Sequence, residues 1–221
     1  MSARDQILGN IRRSLGATNA DAPRRRIVAE RLAERPAGVV PALGQVEGEA
    51  RLTLFRDKIL AAAASYARVA SIHDVAGEIA RHLRANNLPA TIRRGSDNRL
   101  AAVDFKGLAI DATEGPSDGH DLNGLSFGFA GIAETGTLAL LSGPANPTTL
   151  NFLPDNHIVL ISAADVVGDL ESLWAKLRTA RPEGMSRVVN LVTGPSRSAD
   201  IEQTLLLGAH GPRSLHVILL G

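Results

Sequence analysis

The amino-acid sequence predicts an α/β fold built on a mainly parallel sheet. From residue 51 onward, segments with strand-like composition alternate with segments of helical apolar spacing, which is typical of this class. The stretch "HIVLIS" at 157–162 is a continuous apolar run, as expected for a strand covered on both faces. The sequence contains no internal repeat, so the alternation indicates one sheet and its flanking helices.

The N-terminal region differs in character from the rest. Ile7, Ile11 and Leu15 fall on one face of a short amphipathic helix. Residues 16–50 are rich in Pro, Gly, Arg and Glu, a composition that favours an irregular arm with little core of its own. We therefore divide the chain into an N-terminal helix and irregular arm at 1–50 and a main domain at 51–221.

Helices of the main domain are indicated by apolar residues that recur on one face. Asp74 can cap a helix through "VAGEIARHLRANN", in which Val75, Ile79 and Leu83 repeat every four residues. The same spacing predicts a helix from Leu52 to Ile59 and another in "LESLWAKLR". A fourth helix is predicted in "ADIEQTLLLG", residues 199–208.

Strands are indicated by short apolar runs bounded by turn residues. In chain order they are "YARVAS", "ATIRR", "LAAVDF", "LAIDA", "LSFGFAG", "TLALLS", "HIVLIS", "RVVNLV" and "SLHVILL". Together with the helices they complete the expected strand–helix alternation.

Composition excludes several function classes. The formal net charge is +1 and aromatic residues make up 3%, so neither charge nor stacking surface indicates a nucleic-acid partner. The chain has no cysteine, which excludes disulfides, a thiol nucleophile and cysteine-ligated iron–sulfur clusters, and is compatible with a reducing cytoplasm, where we expect the protein. No apolar run reaches the roughly 18 residues that a membrane-spanning helix needs.

The stretch "TGPSRSADIE" is the first candidate site. Gly194 and Pro195 form a turn, and Ser196 or Ser198 can cap the predicted helix that follows. The start of a helix offers free N–H groups to an anion, and Arg197 could add a bidentate contact. Ligands of open α/β sheets bind beyond the carboxyl ends of the strands, where we expect this turn. A purely structural serine cap is the alternative.

The second candidate is "GIAETGT", in which Glu134 precedes Thr135, Gly136 and Thr137 at a break between two strands. Glycine here lets a backbone segment or a ligand approach closely. The carboxylate could act as a nucleophile, a base or a group that binds a hydroxyl. Alternatively, it fixes its own loop by accepting local N–H bonds.

Other polar residues are weaker candidates. His120 and Asp121 lack a second cluster with metal-ligand spacing, so we predict no metal site. His157, His210 and His216 lie in or beside strands and are more typical of hydrogen-bonded structural residues. The sequence has no phosphate-binding loop, no dinucleotide fingerprint and no G-x-S-x-G elbow.

Three motifs in order resemble the LutC/YkgG family of lactate-utilization proteins, whose domain is called the LUD domain. They are "GIAETGTLALLSG", "LNFLPDNHIVLIS" and "VTGPSRSADIEQTLLLGAHGPRSLHVILL". The resemblance covers roughly residues 50–221 and is strongest from 127 onward.

This resemblance implies a NagB/RpiA/CoA-transferase-like fold, a three-layer α/β/α sandwich. It also implies a role in oxidation of L-lactate to pyruvate together with two iron–sulfur partner proteins. Because this chain has no cysteine, we expect it to carry no cofactor and the clusters to sit on those partners. A homodimer is a further possibility, since the amphipathic N-terminal arm could pack on a neighbouring subunit.

The resemblance also suggests roles for the two candidate stretches. One cleft for a small hydroxy acid or a phosphorylated ligand could be lined by Glu134, Thr135, Thr137, Ser196 and Arg197. Arg197 would pair with the carboxylate of the hydroxy acid, and Glu134 would accept its hydroxyl. By analogy with coenzyme A transferases, which use a Glu followed shortly by Gly, Glu134 is alternatively a carboxylate nucleophile for acyl or CoA transfer. The third hypothesis is an assembly or regulatory module without chemistry of its own. The sequence leaves open which of these holds and whether the chain is an enzyme.

Overall fold

The computed structural model describes residues 2–16, 21–199 and 205–221. The chain divides into two compact units, Met1–Val39 and Val40–Gly221. The boundary predicted from the sequence, between residues 50 and 51, lies about ten residues after this one. Below, the first is called the N-terminal unit and the second the main unit.

The N-terminal unit consists of two helices, α1 (Ala3–Ser14) and α2 (Ala22–Glu34). α1 begins with a capping box, in which Ser2 and Asp5 satisfy each other's backbone N–H groups. The prediction that 16–50 is irregular is wrong for α2, because Asp21 caps its first turn and a proline occupies a position that favours helix starts.

The main unit alternates helices and strands, as predicted. Its helices are α3 (Gly48–Ala61), α4 (Ile72–Ala85), α5 (Asn98–Ala101) and α6 (Leu170–Ala180), with short 3-10 helices at Ala42–Gln45, Thr148–Asn151 and Ala163–Asp165. The strands are β1 (Ser65–Val69), β2 (Thr91–Arg94), β3 (Asp111–Glu114), β4 (Asn123–Phe127), β5 (Ala130–Ile132), β6 (Thr137–Leu141), β7 (Asn156–Ser162), β8 (Val166–Val167), β9 (Val189–Val192), β10 (Arg197–Ala199), β11 (Leu205–Leu207) and β12 (Ser214–Leu220).

Six strands form the main sheet in the order β1-β12-β7-β4-β2-β3, and every neighbouring pair is parallel. Both faces of its centre are buried. Val159 and Ile161 of β7 pack into one apolar cluster, and Ile158 and Leu160 pack into another on the opposite face. The α/β class with a mainly parallel sheet is therefore confirmed, and the continuous apolar run of β7 has the environment that its sequence predicts.

The layers on the two faces differ. α4 covers one face through Val75, Ile79 and Leu83. The other face is covered by α3 and by a second, mixed sheet in the order β8-β5-β6-β9, which shares a cluster with Phe55 of α3. The far side of this small sheet packs on Leu173 of α6. The main sheet thus lies between layers on both faces, one of which includes a second sheet.

Two predicted elements are wrong. Residues 100–105 are not a strand, because Asp97 caps the short helix α5 and Leu100 and Val103 face the core at helical spacing. The helix predicted at 199–208 is also wrong. β10 and β11 pair there as antiparallel strands, and 200–204 lie outside the described residues. A run of leucines fits either type of element, and here pairing decides.

Within 2–16, 21–199 and 205–221, the structure contains no helix long and apolar enough to cross a bilayer.

Candidate functional site

A cavity of about 460 Å³ lies beside the turn that follows β9. Its walls are residues 191–197, residues 210–212, the pair Asn151 and Phe152, and Ala62 at the end of α3. We call it the Arg197 cavity. It contains the predicted binding residues Gly194, Pro195, Ser196 and Arg197.

The turn at the cavity is held tightly from two sides. Gly194 has a φ of +70°, and a Cβ atom at this position would lie 2.3 Å from the carbonyl oxygen of Ala62, so only glycine fits. The Ser196 N–H donates to the carbonyl of Pro212 at 2.8 Å, and the Gly208 N–H donates to the carbonyl of Ser196 at 3.1 Å. These contacts fix the position of the turn between α3 and the segment that leads into β12.

The cavity lies at the opposite edge of the main sheet from the one expected. Asn151 and Phe152 precede β7, Pro212 precedes β12 and Ala62 precedes β1, so the cavity borders the amino ends of these parallel strands. The turn does follow the carboxyl end of β9, but β9 belongs to the small mixed sheet. Sequence patterns did not separate the two sheets, and the expectation of a site at the carboxyl edge of the parallel sheet is therefore wrong for this cavity.

The lining favours an anion. Its ionisable side chains are Arg197 and His210, and no acidic residue lines it among the residues that the structure describes. A guanidinium Nη2 of Arg197 lies 3.5 Å from the carbonyl oxygen of Ala62, just past the C-terminal end of α3. The negative end of that helix dipole stabilises a cation at this place.

The predicted helix start does not contribute to anion binding. Arg197–Ala199 is strand β10 and not the first turn of a helix, and the residues 200–204 that follow lie outside the described part of the chain. The positive charge at the turn therefore comes from the side chain of Arg197 and not from a helix dipole.

Glu134 lies elsewhere. Its carboxylate accepts the backbone N–H of Leu170, the first residue of α6, at 3.0 Å, and its own N–H donates to the carbonyl of Gly168. It is half-buried next to Gly44 and is not among the residues that line the Arg197 cavity. The structure thus does not bring Glu134 and Arg197 together, and the carboxylate supports the start of a helix.

The threonines of the same motif do not line the cavity but are linked to its wall by hydrogen bonds. The hydroxyl of Thr135 lies 2.7 Å from that of Thr137, which lies 2.7 Å from that of Thr193 in the cavity wall. Gly136 packs against the backbone of α3. The motif therefore borders the cavity through a chain of hydroxyl groups.

Sequence reasoning missed part of the wall. His210 was assigned a structural role, yet it lines the cavity together with Gly211 and Pro212. Asn151 lies within the family motif "LNFLPDNHIVLIS", but its amide was given no role, because the short 3-10 helix that holds it matches no pattern of catalytic or ligand-binding residues. Only the fold brings these segments to Arg197.

Replacing Glu134 tests its structural role. We expect Glu134→Ala to lower the free energy of unfolding by about 1 kcal/mol, as for loss of a helix cap. Glu134→Gln retains an oxygen acceptor for the Leu170 N–H and should cost less. Urea unfolding measures both, with Glu183→Ala as a control because that side chain is exposed and distant in sequence from the capped turn. Equal stability of the Ala variant and wild type would contradict the assigned role.

Most of the cavity lies in the part of the chain that matches a known protein family. The family model described as "LUD domain" matches residues 122–220, which include all the cavity walls except Ala62. A crystal structure of a DUF162 family protein from Deinococcus radiodurans has a TM-score of 0.60 and is 24% identical, covering 80% of this chain and 99% of that chain. That likeness shows a shared fold.

Relatives match slightly less than half of the chain. An uncharacterized protein of Neisseria meningitidis serogroup B is 38% identical over 97 residues, 44% of this chain and 41% of that protein. Proteins named lactate utilization protein C are 34% identical over 99 residues in a Geobacillus species, covering 44% and 41%, and 33% identical over 99 residues in Halalkalibacterium halodurans, covering 43% of each. The chain thus spans about two fifths of the length of the relatives it matches.

Proposed function

Since residues 122–220 match the family model of the LUD domain, we propose that the chain serves lactate utilization by binding a small carboxylate in the Arg197 cavity. The proposal rests on one observation above all: the cavity presents Arg197 and His210 with no acidic residue among its described lining. A guanidinium matches the two oxygens of a carboxylate. Backbone groups of the 193–197 turn can replace hydrogen bonds that the carboxylate makes to water in solution.

The names of several relatives support the choice of pathway. Proteins called lactate utilization protein C match this chain over 99 residues at 33–34% identity. L-lactate and its oxidation product pyruvate are both small carboxylates, so either would suit the electrostatics of the cavity. We propose that electrons pass to iron–sulfur clusters on partner proteins, since this chain has no cysteine to bind such a cluster.

Acyl or CoA transfer through Glu134 has less support. A carboxylate nucleophile must reach an acyl carbon in an accessible site, whereas an oxygen of Glu134 accepts the Leu170 N–H and the residue lies outside the Arg197 cavity. An acyl-CoA that left a thioester on Glu134 would favour the transferase instead.

Calorimetry with the full chain tests ligand binding. We expect L-lactate or pyruvate to bind the wild type, and Arg197→Ala to weaken the affinity about 10- to 100-fold, as for loss of a charge-assisted pair. Arg197→Lys keeps the charge but loses the planar fork, so its affinity should be intermediate.

The matched control is Arg181→Ala, which removes an arginine that pairs with Glu183 outside the cavity, and it should bind like wild type. Absence of binding by the wild type, or an unchanged affinity of Arg197→Ala, would refute the proposed site. An assembly module without a ligand would then be the better explanation.

A genetic test addresses the pathway separately. Deletion of the gene should abolish growth on L-lactate, and the wild-type chain should restore it. The same chain should co-purify with cysteine-rich partners that carry the absorbance of iron–sulfur clusters. Normal growth on lactate after deletion would show that the chain is not needed for this process.

A further inference from the structure

A buried polar residue forms part of the wall of the Arg197 cavity. Asn151 ends the 3-10 helix Thr148–Asn151, lines the cavity and is only 1% exposed. Its amide is hydrogen-bonded to the buried Ser126 of β4, and Ser126 is in turn hydrogen-bonded to the buried His157 of β7. The three residues form a chain of hydrogen bonds that runs from the parallel sheet to the cavity wall.

In this three-residue network, each hydrogen bond is donated in the same direction, from His157 to Ser126 and from Ser126 to Asn151. The Ser126 hydroxyl donates to Asn151 Oδ1 at 3.2 Å. A hydroxyl has one proton, so toward His157 the same oxygen must accept, and Nε2 of His157 donates to it at 3.0 Å. Burial lowers the pKa of His157 to about 4, so the ring is neutral at pH 7 and carries its one proton on Nε2.

This direction fixes the orientation of the Asn151 amide. Its oxygen is engaged by Ser126, so Nδ2 is the remaining polar atom of the side chain. Nδ2 is buried and has no hydrogen-bond partner among residues 2–16, 21–199 and 205–221. Buried donors without a partner are rare because they lose their hydrogen bonds to water, and at a cavity wall a ligand oxygen can replace them.

We propose that Asn151 is the specificity-determining residue of the Arg197 cavity, donating from Nδ2 to an oxygen at C2 of a bound carboxylate. The inference rests on the proposed function, in which Arg197 binds the carboxylate group itself. It narrows the ligand class to acids that carry a 2-oxo or 2-hydroxy oxygen. Ser126 and His157 are positioning residues, since they hold the amide with its donor free for the ligand.

The test compares three acids of equal carbon number by calorimetry with the full chain. Propionate has the carboxylate but no C2 oxygen, whereas pyruvate and L-lactate have both. In the wild type we expect pyruvate or L-lactate to bind about tenfold more tightly than propionate, the usual effect of one hydrogen bond to a buried donor.

Substitutions should separate the two recognition elements. Asn151→Ala should bring the affinities for the three acids within about twofold of one another, whereas Arg197→Lys should weaken all three and keep their ratio. Ser126→Ala changes almost no volume and releases the amide oxygen, so it should also reduce the ratio. If Asn151→Ala does not fold, Asn151→Asp keeps the shape but replaces the donor by an acceptor, and the ratio should likewise be lost.

The outcomes distinguish the two proposals. If the wild type binds none of the three acids, the proposed function fails. If it binds all three equally, or if the ratio survives in the folded Asn151 and Ser126 variants, the proposed function stands and the role of Asn151 is refuted.

Discussion

Lowering the pH from 7 to 4.5 should reduce the free energy of unfolding by about 5 kcal/mol through two buried histidines. Burial lowers the pKa of His157 to about 4, and burial together with the neighbouring His82 lowers the pKa of His216 to about 4. An unfolded histidine titrates near 6.5, so between these values the unfolded chain binds protons that the folded chain does not. The contribution of these two histidines to the free energy of unfolding is therefore fully present above about pH 6.5, and it is lost as the pH falls toward 4.

The surroundings of His216 explain why its pKa is lowered. Its ring is 2% exposed and stacks on that of His82 at 3.9 Å, while Nδ1 and Nε2 contact Ser65 and Glu78. Glu78 favours the protonated ring, but it also pairs with Arg81, and desolvation is the largest influence. The pKa of Glu78 is itself lowered, so its contribution to stability is lost only at still lower pH.

Urea unfolding at a series of pH values between 7 and 4.5 measures the effect. His157→Gln removes one of the two groups and keeps a polar atom near Ser126, so the loss of stability over this interval should be about half that of wild type. A variant with His216→Gln as well should lose much less stability over the same interval, and His82, whose pKa is also lowered by burial, should account for the remaining loss. A wild-type stability that stays constant from pH 7 to 4.5 would contradict the buried, neutral state of both rings.

Gly136→Ala should lower the free energy of unfolding by about 3 kcal/mol or more, enough to threaten the fold of the chain. Gly136 has a φ of +68°, which costs a residue with a Cβ atom about 1–2 kcal/mol. A Cβ atom would also lie 2.7 Å from backbone atoms of Lys58 and Ile59 in α3. Backbone atoms cannot rotate away, so relief requires a shift of α3 against the small sheet.

Gly107→Ala is the matched control. Gly107 has a φ of +76°, but no atom lies within 4 Å of where its Cβ would be. It therefore carries the conformational cost without the overlap and should lose only about 1 kcal/mol. Circular dichroism with urea unfolding compares the two variants, and similar losses for both would show that the contact with α3 is not tight.

The sequence predicted the parallel core better than its periphery. β7 and β12 were recognisable because a strand with both faces buried carries consecutive apolar residues at its centre, as 158–161 and 217–220 do. Segments 100–105 and 199–208 were mistaken because a few apolar residues fit either period, and capping by Asp97 or pairing of β10 with β11 decided between them. The family resemblance, which depends on longer motifs, is confirmed by the match over 122–220.

The candidate site was predictable only in part. The turn 194–197 could be found because glycine, serine and arginine follow a strand. Asn151 and Ala62 join that turn through pairing of strands far apart in sequence, which local patterns do not record. Glu134 shows the converse: a carboxylate between glycines suggests chemistry, but which N–H it accepts depends on where α6 begins.

The C-terminal end of α3 contacts two glycines, and neither contact leaves room for a side chain at the glycine position. Gly136 abuts Lys58 and Ile59, and Gly194 abuts Ala62 four residues further along. Natural variation should therefore be restricted on both sides of each contact, so that a bulkier residue at 62 appears only with a compensating shift of the 194 turn. A deep mutational scan would reveal this as paired intolerance between helix and turn, at positions more than 130 residues apart in the sequence.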